Sequence, residues 1–253
     1  MQVLFLGTGT SQGVPVIGCN CLVCSSNNIK DKRLRTSLLI KIDEHVILID
    51  IGPDFRCQML TSNNSIIDSI LLTHQHRDHT AGLDDLRPIY YLNKKQINIY
   101  GENNVLKSIS QDFKYLFDGP DYPGKPDINL NIISNRSFRI SDIVINPIRV
   151  LHYKLPILGY RIGDLSYITD ANYISKEEKT KILGSKVLII NALQRAPHIS
   201  HYNLEQSLKL IEELAPEKAY LTHVSHNLGL YDDLKTELPK NVFLAYDHLE
   251  FSI

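Results

Sequence analysis

Hydrophobic residues in this chain fall into short runs bounded by turn-forming residues, a pattern typical of buried β-strands. VLFL near the start and VLII and VFLAY near the end are runs of this kind. TSLLIKI and HVILID are separated only by Asp43 and Glu44, which predicts a β-hairpin. SIIDSILLT predicts a further buried strand, and several β-like runs lie between INLNII and SYITD.

Helical spacing occurs between these runs. DFRCQML predicts a short helix that begins near Pro53, and AGLDDLRPIYYL predicts a helix interrupted at Pro88. ENNVLKSISQDFKYLF carries apolar residues at three- and four-residue spacing, which predicts a helix with one core-facing stripe. Towards the end, KEEKTKIL, LEQSLKLIEEL and LYDDLKTEL predict helices that alternate with strands. The order favours an α/β fold of the α+β type, with two packed sheets covered by helices.

One segment has the composition of a loop. Residues 118–127, DGPDYPGKPD, hold two glycines and three prolines. We expect an ordinary surface connection here rather than a segment that closes over a site.

The composition narrows the class of protein. The chain has 253 residues and a formal net charge of −1, so it lacks the strongly basic character of nucleic-acid-binding domains. Its N-terminal apolar run is too short for a signal sequence or a membrane span, and we expect a cytoplasmic protein without membrane contact. We expect a single domain over residues 1–253, because the candidate site residues are spread from residue 50 to residue 223.

Five of the apolar runs end on a side chain that can bind metal. They are VILID at Asp50, ILLTH at His74, IRVLH at His152, SYITD at Asp170 and AYLTH at His223. The second continues as HQHRDH, which adds His76, Asp78 and His79. Imidazole and carboxylate are ligands of Zn²⁺ and similar divalent ions, and ligands gather at the carboxyl ends of strands in α/β sheets. The pattern therefore predicts a polynuclear metal site.

The number of ligands indicates two ions, since one zinc needs three or four ligands. We assign His74, His76 and His152 to the first ion and Asp78, His79 and His223 to the second, with Asp170 shared between them. We expect Asp50 to orient a metal-bound histidine rather than to bind metal.

The cysteines indicate a second kind of metal site. Cys19, Cys21 and Cys24 are clustered in GCNCLVC, and Cys57 stands alone. A tight, odd-numbered cluster favours a metal over a disulfide framework, and three thiolates need a fourth ligand from elsewhere. His226 is the candidate, and Cys57 is its rival.

These motifs resemble the metallo-β-lactamase superfamily. The shared residues are the THxHxDH segment at 73–79, Asp50, His152, Asp170 and His223. GTGTSQGVPVIGCNCLVC, RLRTSLLI, DIGPDFR and GLDDLRP further resemble the phosphonate-pathway phosphodiesterases that open ribosyl 1,2-cyclic phosphates, a branch related to the tRNA 3′-end endonucleases. The resemblance implies an αββα sandwich, a dinuclear site at a sheet edge, a structural zinc that includes His226, and a homodimer.

The resemblance also implies a catalytic histidine just before a late helix, which is His201 here. His198 is a nearby competitor for the same role. Arg33, Arg35 and Arg87 are candidate ligands of a substrate phosphate, because guanidinium matches phosphate oxygens bidentately. The alternative for each is a solvated or structural role, which most arginines have.

The leading hypothesis is a metal-dependent phosphodiesterase that acts on a small, nucleotide-like or sugar phosphate diester, cyclic diesters included. Two Zn²⁺ or Mn²⁺ ions would activate a bridging hydroxide, with Asp78 and His201 as catalytic residues and one structural Zn²⁺ at the cysteines. A tRNA 3′-processing endonuclease is the alternative enzyme, although nucleic acid is not the expected partner because no basic insertion is visible. Thioester or β-lactam hydrolysis ranks lower, and a metal-stabilised binding protein without turnover is the non-enzymatic alternative.

Overall fold

The computed structural model describes residues 1–117 and 124–253. Most of the loop predicted over 118–127 therefore lies outside the described residues. Within those ranges the α-helices are α1 (Phe55–Ser62), α2 (Arg77–Thr80), α3 (Leu86–Asn93), α4 (Asn103–Asp112), α5 (Lys114–Phe117), α6 (Lys176–Ile182), α7 (Leu204–Leu214) and α8 (Tyr231–Glu237). Short 3₁₀ helices cover Ile29–Asp31 and Leu83–Asp85.

The first sheet has seven strands in the order β15-β1-β2-β3-β4-β5-β6. These strands are β1 (Gln2–Gly7), β2 (Ser37–Ile42), β3 (His45–Ile49), β4 (Ser69–Leu71), β5 (Ile97–Gly101), β6 (Ile128–Ile132) and β15 (Glu250–Ser252). β2 and β3 form the predicted hairpin with Leu39 opposite Leu48, and β3 to β6 run parallel.

The second sheet has eight strands, with the order β11-β8-β9-β10-β12-β13-β14 and β7 paired to β8. These strands are β7 (Phe138–Ile140), β8 (Ile143–His152), β9 (Leu155–Ile162), β10 (Leu165–Ile168), β11 (Tyr173–Ile174), β12 (Val187–Asn191), β13 (Lys218–Thr222) and β14 (Val242–Leu244). β10, β12, β13 and β14 are parallel to one another.

Three apolar clusters hold four layers together. Neighbouring residues of one strand face opposite sides of a sheet. Leu48 therefore joins the cluster under α1, α3 and α4, while Ile49 joins the cluster between the two sheets. The third cluster lies between the second sheet and α6, α7 and α8. The result is the predicted αββα sandwich, and burial on both faces explains why many strands read as continuous apolar runs.

Local details differ from the sequence predictions. Pro88 does not interrupt a helix, because it lies in the first turn of α3, where a missing N–H costs nothing; the break falls before Leu86. The long helix predicted up to Phe117 is divided at Phe113 into α4 and α5. The sequence pattern does not predict the edge strand β15. Among the described residues, no helix has both the length and the apolar character needed to cross a membrane.

The strand ends position the candidate site. Asp50 directly follows β3, and His223 directly follows β13. Asp170 follows β10 after one intervening residue. All three have positive φ angles, of 61°, 54° and 58° respectively. Left-handed backbone is uncommon for residues other than glycine, and it turns the chain sharply at the strand end. β8 ends on His152 itself.

Candidate metal centre

Three imidazoles form the first group of candidate ligands. Donor atoms of His74, His76 and His152 all lie within 4.8 Å of one another. His74 Nε2 and His76 Nδ1 are 2.9 Å apart. His74 is buried three residues beyond the end of β4, whereas His76 is exposed and His152 is half-buried, so this group opens to solvent. These are the three residues assigned to the first ion from the sequence.

The second group surrounds His79. Its Nε2 atom lies 3.2 Å from Asp78 Oδ2 and 3.4 Å from Asp170 Oδ2. His223 Nε2 lies 3.3 Å from the other oxygen, Asp170 Oδ1. Asp170 also falls within 4.8 Å of donor atoms of both His74 and His152, so it occupies the position between the two groups.

These distances fit a divalent cation. Two ligands of a tetrahedral zinc, each bonded at about 2.1 Å, are about 3.4 Å apart. His79 Nε2 is also buried without a hydrogen-bond partner among the described residues, although two carboxylates are close to it. A buried lone pair that faces carboxylates without bonding them is the arrangement a cation would complete.

Hydrogen bonds on the far side of each ring fix which nitrogen is free. His79 Nδ1 donates to Asp50 Oδ2 at 2.7 Å. Thr73 Oγ1 donates to the same carboxylate at 2.9 Å, so it accepts from His74 Nδ1, also at 2.9 Å. His152 Nδ1 donates to the Ser200 carbonyl at 3.0 Å. In all three rings the proton sits on Nδ1, which leaves Nε2 for a metal.

Burial and charge set the ionisation of the site. Burial lowers the pKa of His74 well below its ordinary value and that of His223 to about 3. Burial alone would raise the pKa of Asp170, but His223 and His79 outweigh it and hold that pKa well below the usual range. Burial would lower the pKa of His79, yet Asp170, Asp50 and Asp78 raise it well above normal. His74 and His223 are therefore neutral, whereas the carboxylates hold an additional proton on His79 in the metal-free site; a divalent cation would take the place of that proton, so the site favours positive charge.

His201 is brought into the same cluster. Its Nε2 atom lies 3.2 Å from Asp170 Oδ1, and it forms a group of potential ligands with His152 and Asp170. His198 lies behind it, with its Nδ1 atom 3.2 Å from His201 Nδ1. His201 is 8% exposed, so of the two candidate acids it is the one that faces the ligands.

The cysteine cluster contains His226. Its Nδ1 atom lies 3.2 Å from Cys19 Sγ and 3.4 Å from the Sγ atoms of Cys21 and Cys24. Nitrogen and sulfur ligands of a tetrahedral zinc are about 3.6 Å apart, so the four atoms match such a site. The rival ligand Cys57 is exposed on α1 and does not belong to this group.

The candidate arginines are placed differently from one another. Arg33 is buried, and its Nη1 atom donates to Thr8 and to the Ala245 carbonyl, so the suggestion that it meets substrate is wrong. Arg35 forms an ion pair of 2.9 Å with Asp54. The guanidinium of Arg87 lies 5.2 Å from the ring centroid of Tyr115 in α5, not against the candidate ligands. A substrate contact for Arg35 or Arg87 stays a prediction.

Sequence reasoning missed several supporting residues. The Thr73 hydroxyl bonds the Asp50 carboxylate and a ring nitrogen of His74. The Thr169 hydroxyl bonds the Asp170 carboxylate and a ring nitrogen of His223. A signal was present, since LLTH, YITD and YLTH all place threonine before the strand-end residue. Gly52 was also missed: a Cβ atom there would lie 2.2 Å from the Asp78 carbonyl oxygen, so the ligand loop requires glycine at this contact.

Comparisons with known proteins agree with this arrangement. A family model described as the beta-lactamase superfamily domain matches residues 45–224. A crystal structure of a diphosphatase from the PhnP family superposes with a TM-score of 0.93 and 33% identity, covering 100% of this chain and 97% of that one. The similarity therefore extends over nearly the whole length of both chains.

Two curated relatives extend the comparison. An octanoyltransferase of Porphyromonas gingivalis is 41% identical over 253 residues, which are 99% of this chain but 51% of that protein. The chain thus spans about half the length of this relative. A ribonuclease Z of Prochlorococcus marinus is 30% identical over 276 residues, covering 100% of this chain and 77% of that protein. With the matched family model, the αββα fold and the clustered ligands, the chain belongs to the metallo-β-lactamase superfamily.

Proposed function

We propose that this chain is a dinuclear metal-dependent phosphodiesterase that hydrolyses a small phosphate diester. The observation that carries the proposal is the convergence of the seven candidate ligands, Asp170 among them, in two adjoining groups, with His201 Nε2 only 3.2 Å from the Asp170 carboxylate. The PhnP-family diphosphatase and the ribonuclease Z, both matched along the whole chain, carry names that denote hydrolysis at phosphorus. The octanoyltransferase name belongs to a protein about twice as long, so acyl transfer is not proposed.

The ligand set suits two divalent ions, Zn²⁺ or Mn²⁺, because nitrogen and oxygen donors accept either metal. When bound, they would neutralise phosphate charge and lower the pKa of a water molecule. Asp78 and Asp170 are the carboxylates that hold this charge, and Thr169 orients Asp170 through a bond of 2.6 Å. The cysteine cluster would hold a third, structural Zn²⁺ close to His223.

His201 is the proposed general acid. Its Nε2 atom faces the space that the candidate ligands share, and Asp170 Oδ1 orients the ring. A proton held on Nε2 can pass to the oxygen of the departing alcohol as the phosphorus–oxygen bond breaks. His198, which is more exposed, contacts the opposite ring nitrogen and is not placed to do this.

The experiment is hydrolysis of bis(p-nitrophenyl) phosphate by the purified protein. We expect cleavage that chelation abolishes and that added Mn²⁺ or Zn²⁺ restores. His201→Ala should slow a diester with an alkyl leaving group by about 10²- to 10⁴-fold, but p-nitrophenyl release much less, because p-nitrophenolate needs no proton. His248→Ala, at an exposed histidine near the C-terminus, is the control. No turnover of any diester by fully metallated protein would reject the proposal.

A tRNA 3′-processing endonuclease is the second candidate, favoured by the ribonuclease Z match over the whole chain. A net charge of −1 supports a small substrate instead, because nucleic-acid binding draws on phosphate contacts by lysine and arginine. Cleavage of precursor tRNA faster than small diesters would reverse this order. A homodimer in the cytoplasm stays a prediction, testable by light scattering and cell fractionation.

A further inference from the structure

Two exposed apolar side chains flank the candidate ligand His152. Tyr153 follows it directly, in the turn that joins β8 to β9, and is 47% exposed. Ile199 precedes Ser200, whose carbonyl oxygen accepts from His152 Nδ1, and Ile199 is 67% exposed. Tyr153 is covalently bonded to His152 and Ile199 to Ser200, so the backbone of both residues lies close to the metal centre.

The backbone at Tyr153 is unusual for an aromatic residue. Its φ angle is 57°, in the left-handed region that two-residue hairpins normally fill with glycine, asparagine or aspartate. Tyr153 belongs to none of the apolar clusters formed by the described residues. A bulky ring held in strained backbone and left outside the core indicates a role in binding rather than in stability.

We propose that Tyr153, bordered by Ile199, is a stacking surface for a nucleobase of the substrate. This inference rests on the proposed function and narrows its substrate to nucleotide diesters over sugar phosphates that lack a base. An aromatic face stacks on any base. Lys154 Nζ lies over one face of the Tyr153 ring, 5.3 Å from its centroid, so a base would stack on the opposite face.

A binding experiment tests this without turnover. The chain contains no tryptophan, so Tyr153→Trp creates a single fluorescent reporter. We expect adenosine 5′-monophosphate to quench it saturably, at a concentration at least about tenfold below any effect of ribose 5-phosphate. Leu92→Trp, on the exposed surface of α3, should respond to neither. Equal responses of the Tyr153→Trp protein to the two compounds would overturn the inference.

A kinetic experiment uses the metal-loaded protein with the ring removed. The measured quantity is the ratio of kcat/KM for thymidine 5′-(p-nitrophenyl) phosphate to kcat/KM for methyl p-nitrophenyl phosphate. Tyr153→Ala should lower this ratio by about 5- to 100-fold, the range expected from loss of one base–aromatic stack, and Tyr153→Phe should restore it. An unchanged ratio would mean that the ring only completes the turn, and would reject the inference.

The two experiments separate this inference from the proposed function. If the wild-type protein cleaves neither substrate, the phosphodiesterase proposal fails, while the fluorescence titration still decides whether Tyr153 stacks on a base. If both substrates are cleaved and Tyr153→Ala leaves their ratio unchanged, the phosphodiesterase stands and the stacking surface does not.

Discussion

Asp50→Asn should weaken metal binding without removing any ligand. The Asp50 side chain is fully buried, and its carboxylate accepts three hydrogen bonds. They come from Thr73 N at 2.8 Å, Thr73 Oγ1 at 2.9 Å and His79 Nδ1 at 2.7 Å. An asparagine has one acceptor oxygen, so either the Thr73 amide or the His79 ring would face an NH₂ group.

The structure indicates that the hydrogen bond between residue 50 and His79 would be the one lost. If the amide oxygen stays on Thr73 N–H, the NH₂ group faces His79 Nδ1, and the ring can accept from it only by moving its own proton to Nε2. That is the atom that faces Asp78 and Asp170. Loss of such an orienting partner typically costs 10- to 100-fold in metal affinity, or about 1.4 to 2.8 kcal/mol.

The assay is titration of metal-free protein with Zn²⁺ against a chromophoric chelator. We expect the ion bound by His79 to lose affinity by this factor, while the cysteine site is unchanged. Asp164→Asn, which removes only a surface ion pair with Lys186, is the matched control. Circular dichroism in chelator should establish that both variants are folded. Wild-type affinity for every ion in folded Asp50→Asn would refute the tautomer argument.

Three further outcomes follow from the geometry. Gly52→Ala should lower the free energy of unfolding by about 1 to 3 kcal/mol and displace the loop of Asp78, because the new Cβ would lie 2.2 Å from the Asp78 carbonyl oxygen. Unchanged metal content and melting temperature would contradict this. In metal-free protein, the Cys24 N–H bond lowers the pKa of Cys21 to about 6, while burial raises that of Cys24 to about 11. Because the thiolate is the reactive form, alkylation of Cys21 should rise through pH 6 and that of Cys24 should stay slow below pH 9, as followed by mass spectrometry; equal rates would count against it. Cys24→Ser should remove one zinc per chain and lower the melting temperature, whereas exposed Cys57→Ser should change neither.

Much of the fold could be predicted from local pattern. The hairpin of β2 and β3 follows from two apolar runs and a polar turn, and the sandwich follows from strands buried on both faces. Two local details of the secondary structure were predicted wrongly or not at all. Pro88 fits the first turn of α3 without breaking it, and β15 is a three-residue edge strand with little apolar pattern of its own.

The sequence by itself determined the chemistry of this protein: which imidazoles, carboxylates and thiols exist, and that five of the imidazoles and carboxylates stand at the end of an apolar run. Only the tertiary structure decided which atoms meet. It placed His226 rather than Cys57 at the thiols, buried Arg33 with a hydrogen bond to the Ala245 carbonyl, and set His201 and His223 on the same oxygen of Asp170. Ligand type is a property of one side chain and can be read locally. A contact between residues 31 or 53 positions apart depends on sheet register and strand order, which arise from packing across the whole chain.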